Sequence, residues 1–185
     1  MAHDNFTLPA DNQRGPNCGV TAIAASTGNS FARVWALCKA QSGKSRFKGG
    51  TYHIDRLAVL NKLGAQFEIM QLPRMTLQTF CNNYAQPDTT YMVTTTGHVQ
   101  LVRIIEGKPY VLDQGGCKAI DEHRGRRKFI YKDTLRMAEI KRAVEIQPKA
   151  KPTAKPQHPQ ANSSLFPSLF PNQHKAQAPL QLSLF

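Results

Sequence analysis

Apolar residues recur along the first two thirds of the chain with two periods, first near the helical repeat and later near alternation. Phe31, Val34, Trp35 and Cys38 fall at i, i+3, i+4 and i+7, one stripe of a helix that Ser30 can cap. Leu77, Phe80, Cys81 and Tyr84 repeat that spacing and predict a second helix, and residues 54–63 read as another, closed by Gly64. Strands are expected at 66–72, 90–94, 98–105 and 109–113, the last two joined by Glu106-Gly107, a tight hairpin signal. The stretch 131–145 is ambiguous: Leu135, Ala138, Ile140 and Val144 fit a helix only loosely. Helices first and strands afterwards predict an α+β domain, with N-terminal helices packed on an antiparallel sheet. Cys38 and Cys81 lie on the apolar stripes and are most simply core residues.

The pattern stops near Gln147, and composition stops with it. All 12 glycines precede that residue, whereas seven of the 12 prolines follow it, and no acidic residue occurs from there to Phe185. A Lys/Pro/Gln/Ala/Ser-rich segment of this kind cannot bury enough apolar area to offset its ordering entropy. Residues 1–146 are therefore expected to form the folded domain and 147–185 a disordered tail.

Charge narrows the class further. The 24 Lys+Arg and 12 Asp+Glu give a net charge of +12; four lysines belong to the tail, leaving the domain at 20 − 12 = +8. With 41% hydrophobic residues and no apolar run near the ~18 residues of a spanning helix, a membrane protein is excluded as an expectation. No secretory signal is apparent at the start, so a soluble cytoplasmic protein is expected. The four cysteines contain no C-x-x-C, which argues against a structural zinc site, and a reducing compartment argues against disulfides. No metal or cofactor is expected.

Cys18 differs from the other thiols. The turn-rich Gly15-Pro16-Asn17 leads straight into a small-residue helix, with Asn17 as its cap, so the thiol falls in the first helical turn. Unpaired amides and the helix dipole favour a thiolate there. A small residue tolerated at a helix start fits the same position. A nucleophile needs a base and the base an orienter. Of His3, His53, His98 and His123, His98 opens an apolar strand and Asp113 closes its partner. With a two-residue turn, Asp113 lies opposite Gln100, diagonal to His98 and on the same face. A three-residue loop would send it to the other face. Cys117, after Gly115-Gly116, has neither a helix start nor a histidine pattern beside it.

Gln13…Asn17-Cys18-Gly19, Gly97-His98-Val99-Gln100-Leu101-Val102 and Val111-Leu112-Asp113 together resemble the papain-like cysteine peptidases. The resemblance is to the double-glycine-leader and bacteriocin-processing branch, and spans residues 8 to 115. It implies a papain-like fold with Cys18 as nucleophile, His98 as base, Asp113 as orienter and Gln13 as oxyanion donor. The gap of five from Gln13 to Cys18 is shorter than the family's, and Asn12 and Asn17 are alternative donors. Peptide hydrolysis, isopeptide hydrolysis and glutamine deamidation share this machinery, and an inactive copy would keep most of it.

The last residues, Gln181-Leu182-Ser183-Leu184-Phe185, are similar at all five positions to the peptide by which bacterial replication and repair proteins dock on the DNA polymerase sliding clamp. Leu182 and Leu184-Phe185 would fill an apolar groove while Gln181 sets register. Chance in a Leu/Phe-rich tail is the competing explanation, because Ser-Leu-Phe recurs at 164–166 and 168–170 without the Gln. The 34 residues from Gln147 to Leu180 would have an r.m.s. reach of ~30–35 Å, holding the domain beside the clamp.

Between Lys118 and Lys155 lie twelve Lys/Arg and five Asp/Glu. Arg124, Arg126, Arg127 and Lys128 could touch phosphates in a salt-dependent, sequence-independent way, or form a solvated basic loop. The expected function is thus a thiol-dependent amide hydrolase, a peptidase acting on protein or peptide, tethered to the sliding clamp. The pairing of modules points to a phage or mobile-element protein acting on the host replisome. The rivals are a non-catalytic clamp-binding adaptor or replication inhibitor on a degenerate peptidase fold, and a small basic nucleic-acid-binding protein.

Overall fold

Small residues make α1 (Cys18–Thr27) a helix that can be approached from all sides. Gly19, Val20, Thr21, Ala22, Ile23, Ala24 and Ser26 are all buried. The computed structural model describes residues 6–131 and 133–138, so the expected tail, 147–185, and residues 139–145 lie outside the described residues. Around α1 stand α2 (Phe31–Ser42) and α3 (His53–Lys62). The Ser30 hydroxyl accepts the Arg33 amide at 3.3 Å, as its cap role predicts. Asp11 adds a second cap from outside the helix, its two oxygens accepting the Phe31 and Ala32 amides at 2.8 and 2.9 Å.

The strands are β1 (Phe67–Gln71), β2 (Thr90–Thr95), β3 (His98–Ile105), β4 (Lys108–Asp113), β5 (Gly116–Ala119) and β6 (Asp133–Met137), with α4 (Leu77–Asn83) after β1. They form one antiparallel sheet in the order β1-β6-β2-β3-β4-β5. The α+β architecture, with the N-terminal helices on an antiparallel sheet, is as expected. The inner strands of the sheet are buried on both faces. Val20, Ile23, Val34 and Leu60 from the helices meet Met92, Val99, Leu101, Leu112, Leu135 and Met137 on one side. Leu77 and Phe80 of α4 meet Tyr91, Val93, Val102 and Val111 on the other. Alternating side chains of β2 thus feed opposite cores, which explains why its central residues read as a continuous apolar run. Cys38 and Cys81 are buried in these cores, and burial pushes their thiols up to about 11 and about 12.

The ambiguous stretch resolves as strand where it is described. Leu135 and Met137 alternate toward the helix-side core, and β6 inserts between β1 and β2. The helical spacing of Leu135 and Ala138 was coincidental, because pairing on both edges satisfies the β6 backbone better than an isolated turn would. β5 was not expected at all; its four residues carry Cys117, which is exposed.

Gly19 shows how tightly α1 is held. A Cβ there would stand 2.0 Å from Thr51 Oγ1 and 3.3 Å from Arg56 Cδ. Although Ala favours helices over Gly by about 1 kcal/mol, Gly19→Ala should lower stability by ~1–3 kcal/mol through overpacking. Chemical denaturation would check this, with Thr51→Ala in the same chain recovering part of the loss.

Candidate active site

Cys18 is the first residue of α1, so its amide has no acceptor within the helix. Asn17 occupies the cap position as expected, but its side chain does not cap. It is buried, and its Oδ1 accepts from Gln114 Nε2. That exchange ties the residue before Cys18 to the residue after Asp113, bracing the helix start against the end of β4. Gly49 lies against this brace: a Cβ there would be 2.6 Å from Asn17 Cβ.

His98 and Asp113 are placed by the hairpin. Glu106 and Gly107 have φ of 49° and 75°, the left-handed pair of a two-residue turn whose twist suits antiparallel strands. Ile105 consequently pairs with Lys108 and Leu101 with Leu112, which sets Asp113 opposite Gln100 and diagonal to His98. His98 Nε2 lies 3.5 Å from Asp113 Oδ2. The imidazole is near enough to the Cys18 thiol to favour its ionisation, and the Val99 amide donates to Sγ at 3.4 Å. The structure thus brings Cys18, His98 and Asp113 together in that order.

The electrostatics follow from these contacts. Burial opposes ionisation of Cys18, but the His98 imidazole, the Val99 and Gly19 amides and the His98 charge outweigh it and hold the thiol below its ordinary value. Asp113 and then Cys18 raise His98 to about 9 against the cost of burial. Asp113 is held well below the usual carboxylate range, first by His123, then by His98 and the Gly115 amide. Each shift favours a thiolate–imidazolium pair backed by a carboxylate.

Gln13 lies in the irregular segment before α1, exposed, and among the described residues its side chain has no hydrogen-bond partner. The alternative residues are tied through their amide oxygens and not through their N–H donors. Asn12 Oδ1 accepts the Thr21 hydroxyl at 2.9 Å, and Asn17 is bound to Gln114. Cys117 stands apart from this cluster on β5, where partial desolvation raises its otherwise exposed thiol.

Two groups beside the site escaped the sequence reading. His123 Nε2 approaches Asp113 Oδ2 at 3.3 Å from an irregular loop that no periodicity marks. Arg56, 4% exposed, reaches the Thr51 carbonyl at 3.1 Å and Thr94 Oγ1 at 3.0 Å. Its nearest signal was a lone cation on the buried stripe of α3. His53 Nδ1 pairs with Asp133 Oδ2 at 2.8 Å, and Arg56 Nη2 approaches the same ring nitrogen at 3.4 Å. In the basic run, Arg124, Arg127 and Lys128 are exposed and Arg126 is partly buried. Its backbone serves the fold: the Lys128 and Arg126 carbonyls accept the Leu77 and Gln78 amides, the first free donors of α4. Among the described residues no group of three His, Cys, Asp or Glu side chains could hold a metal ion. No described helix is long and apolar enough to cross a membrane.

The sequence matches no family model, and no curated protein matches it. Among solved structures it is similar to a double glycine motif protease from an AMS/PCAT transporter, crystallised in complex with the leader peptide. The similarity covers 75% of this chain and 97% of that one, at 13% identity and a TM-score of 0.50. At that identity the likeness concerns the fold, which is that of a papain-like peptidase.

Proposed function

We propose that the chain is a thiol-dependent amide hydrolase acting on peptide or protein. The observation that carries this reading is the contiguous row Cys18, His98 and Asp113, with the thiol lowered and the imidazole raised. The peptide held by the similar protease makes a peptide the favoured substrate class.

In the proposed reaction the Cys18 thiolate attacks a carbonyl carbon, forming the C–S bond and an oxyanion. The Cys18 amide and the Gln13 side chain stabilise that oxyanion; one such donor is typically worth ~2.7–4 kcal/mol. His98 gives its proton to the leaving nitrogen as the C–N bond breaks, leaving a thioester. Water then gives a proton to His98 and attacks, and the thiol departs with that proton. Asp113 holds the ring in position and stabilises the imidazolium throughout.

A thiol-directed peptide amide probe tests the site. Wild type should be labelled at Cys18, and Cys18→Ala should lose that label although Cys38, Cys81 and Cys117 remain. Equal labelling of both proteins would leave the non-catalytic adaptor as the better description.

The proposal extends to a partner. Gln181, Leu182, Ser183, Leu184 and Phe185, outside the described residues, would dock on the bacterial sliding clamp. Arg124, Arg127 and Lys128 would add a salt-sensitive phosphate contact near clamp-bound DNA.

A further inference from the structure

Asp113 faces two imidazoles, and only one belongs to the proposed triad. Its Oδ2 lies 3.5 Å from His98 Nε2 and 3.3 Å from His123 Nε2, while Oδ1 accepts the Gly115 amide at 2.7 Å. His123 is 7% exposed, at the end of a short 3-10 turn (Ile120–Glu122). Its Nδ1 accepts the Gly125 amide at 3.1 Å. A neutral imidazole that accepts at Nδ1 carries its proton on Nε2, so the backbone fixes a donor aimed at Oδ2. The Arg126 amide donates to the His123 carbonyl at 3.1 Å and closes the turn. Gly125 is needed for this approach, because a Cβ there would stand 2.8 Å from His123 Cε1.

A carboxylate oxygen offers two lone-pair directions. Both on Oδ2 face imidazoles and Oδ1 is tethered, so Asp113 has little freedom to turn. We propose that His123 is a positioning residue, holding Asp113 Oδ2 toward His98 from behind. This rests on the thiol-hydrolase reading for its functional meaning, though not for its geometry. The arrangement also explains why a 3.5 Å contact, long for a hydrogen bond, suffices: orientation is supplied by His123 and not by His98 itself. The ionisable groups facing Asp113 are His98 from β3 and His123 from the loop; Cys18 of α1 lies beyond His98. Cys117 of β5 pairs with Leu112 and so projects to the other face from Asp113.

The test uses the full chain and three variants. His123→Phe keeps a ring and removes the donor. His123→Gln returns an amide N–H near the place of Nε2, and His123→Asn is too short to reach. NMR titration of His98 and the pH dependence of Cys18 alkylation by iodoacetamide are measured for each. His123→Phe and His123→Asn should let Asp113 turn away from His98 and so lower the His98 midpoint from about 9 by ~1 pH unit. His123→Gln should recover most of it. A purely structural residue would lower the melting temperature without this shift. If His98 titrates at or above its wild-type midpoint in folded His123→Asn, the opposite holds: His123 competes for Asp113, and the proposal is overturned. The two readings separate cleanly. Ordinary thiol reactivity of wild-type Cys18 would remove the hydrolase reading, while the His98 midpoints would still report on His123.

Discussion

Replacing His98 by Ala should slow alkylation of Cys18 near neutral pH by ~10-fold and abolish most amide hydrolysis. The thiol is lowered only because His98 and backbone amides outweigh its burial, so losing the imidazole lets desolvation win. A thiol returned to the ordinary range or above is only a few per cent thiolate or less near pH 7. The remaining thiolate is intrinsically more nucleophilic, which is why the alkylation loss stays near tenfold. Hydrolysis has no such compensation, since the general acid has gone, and should fall by on the order of 10²–10⁴-fold. The wild-type pH profile fixes the same assignment by its sign. Activity rises with pH as Cys18 ionises, below the ordinary thiol range, and declines as His98 loses its proton near 9. His98→Ala should abolish that alkaline decline in any residual activity. Alkylation rates and hydrolysis measured from about pH 5 to 10 check both limbs; an alkaline limb retained in His98→Ala would sink the assignment.

Deleting Gln181 to Phe185 should abolish capture of the bacterial sliding clamp and leave Cys18 alkylation unchanged. Leu182, Leu184 and Phe185 would each contribute ~1.5–3 kcal/mol on full burial. Even after the cost of ordering a peptide, their joint removal should weaken binding by on the order of 10³-fold or more. Substituting Leu165, Phe166, Leu169 and Phe170 by Ala instead should leave most of the binding, because those copies lack the Gln that sets register. Surface-bound clamp with each variant in solution gives the comparison. Undiminished binding after the deletion would assign the pentapeptide to chance in a Leu/Phe-rich segment.

The elements that sequence located best are those specified by neighbours in the chain. Ser30 and the stripe Phe31, Val34 and Cys38 fix α2, and the structure places its boundary where the cap predicts. The Glu106-Gly107 turn fixes the β3–β4 register, and through it the diagonal between His98 and Asp113. β6 stayed ambiguous because its five residues carry too little periodicity and acquire a strand identity only between β1 and β2. Asn17 looked like a cap and became a brace, because Gln114 arrives at it from 97 positions away. His123 was hidden inside a basic run in which Arg124, Arg127 and Lys128 face solvent while its imidazole turns inward.

By itself, then, the sequence determined the helices, the hairpin and a thiol at a helix start. These depend on capping, period and turn geometry, interactions that span only a few residues. Tertiary structure alone decided that Val99 and its neighbour His98 reach Cys18 across 81 positions, and that a second imidazole stands behind Asp113. Those meetings depend on how α1 packs into the sheet and where a loop folds back, and burial and pairing set that geometry over the whole domain.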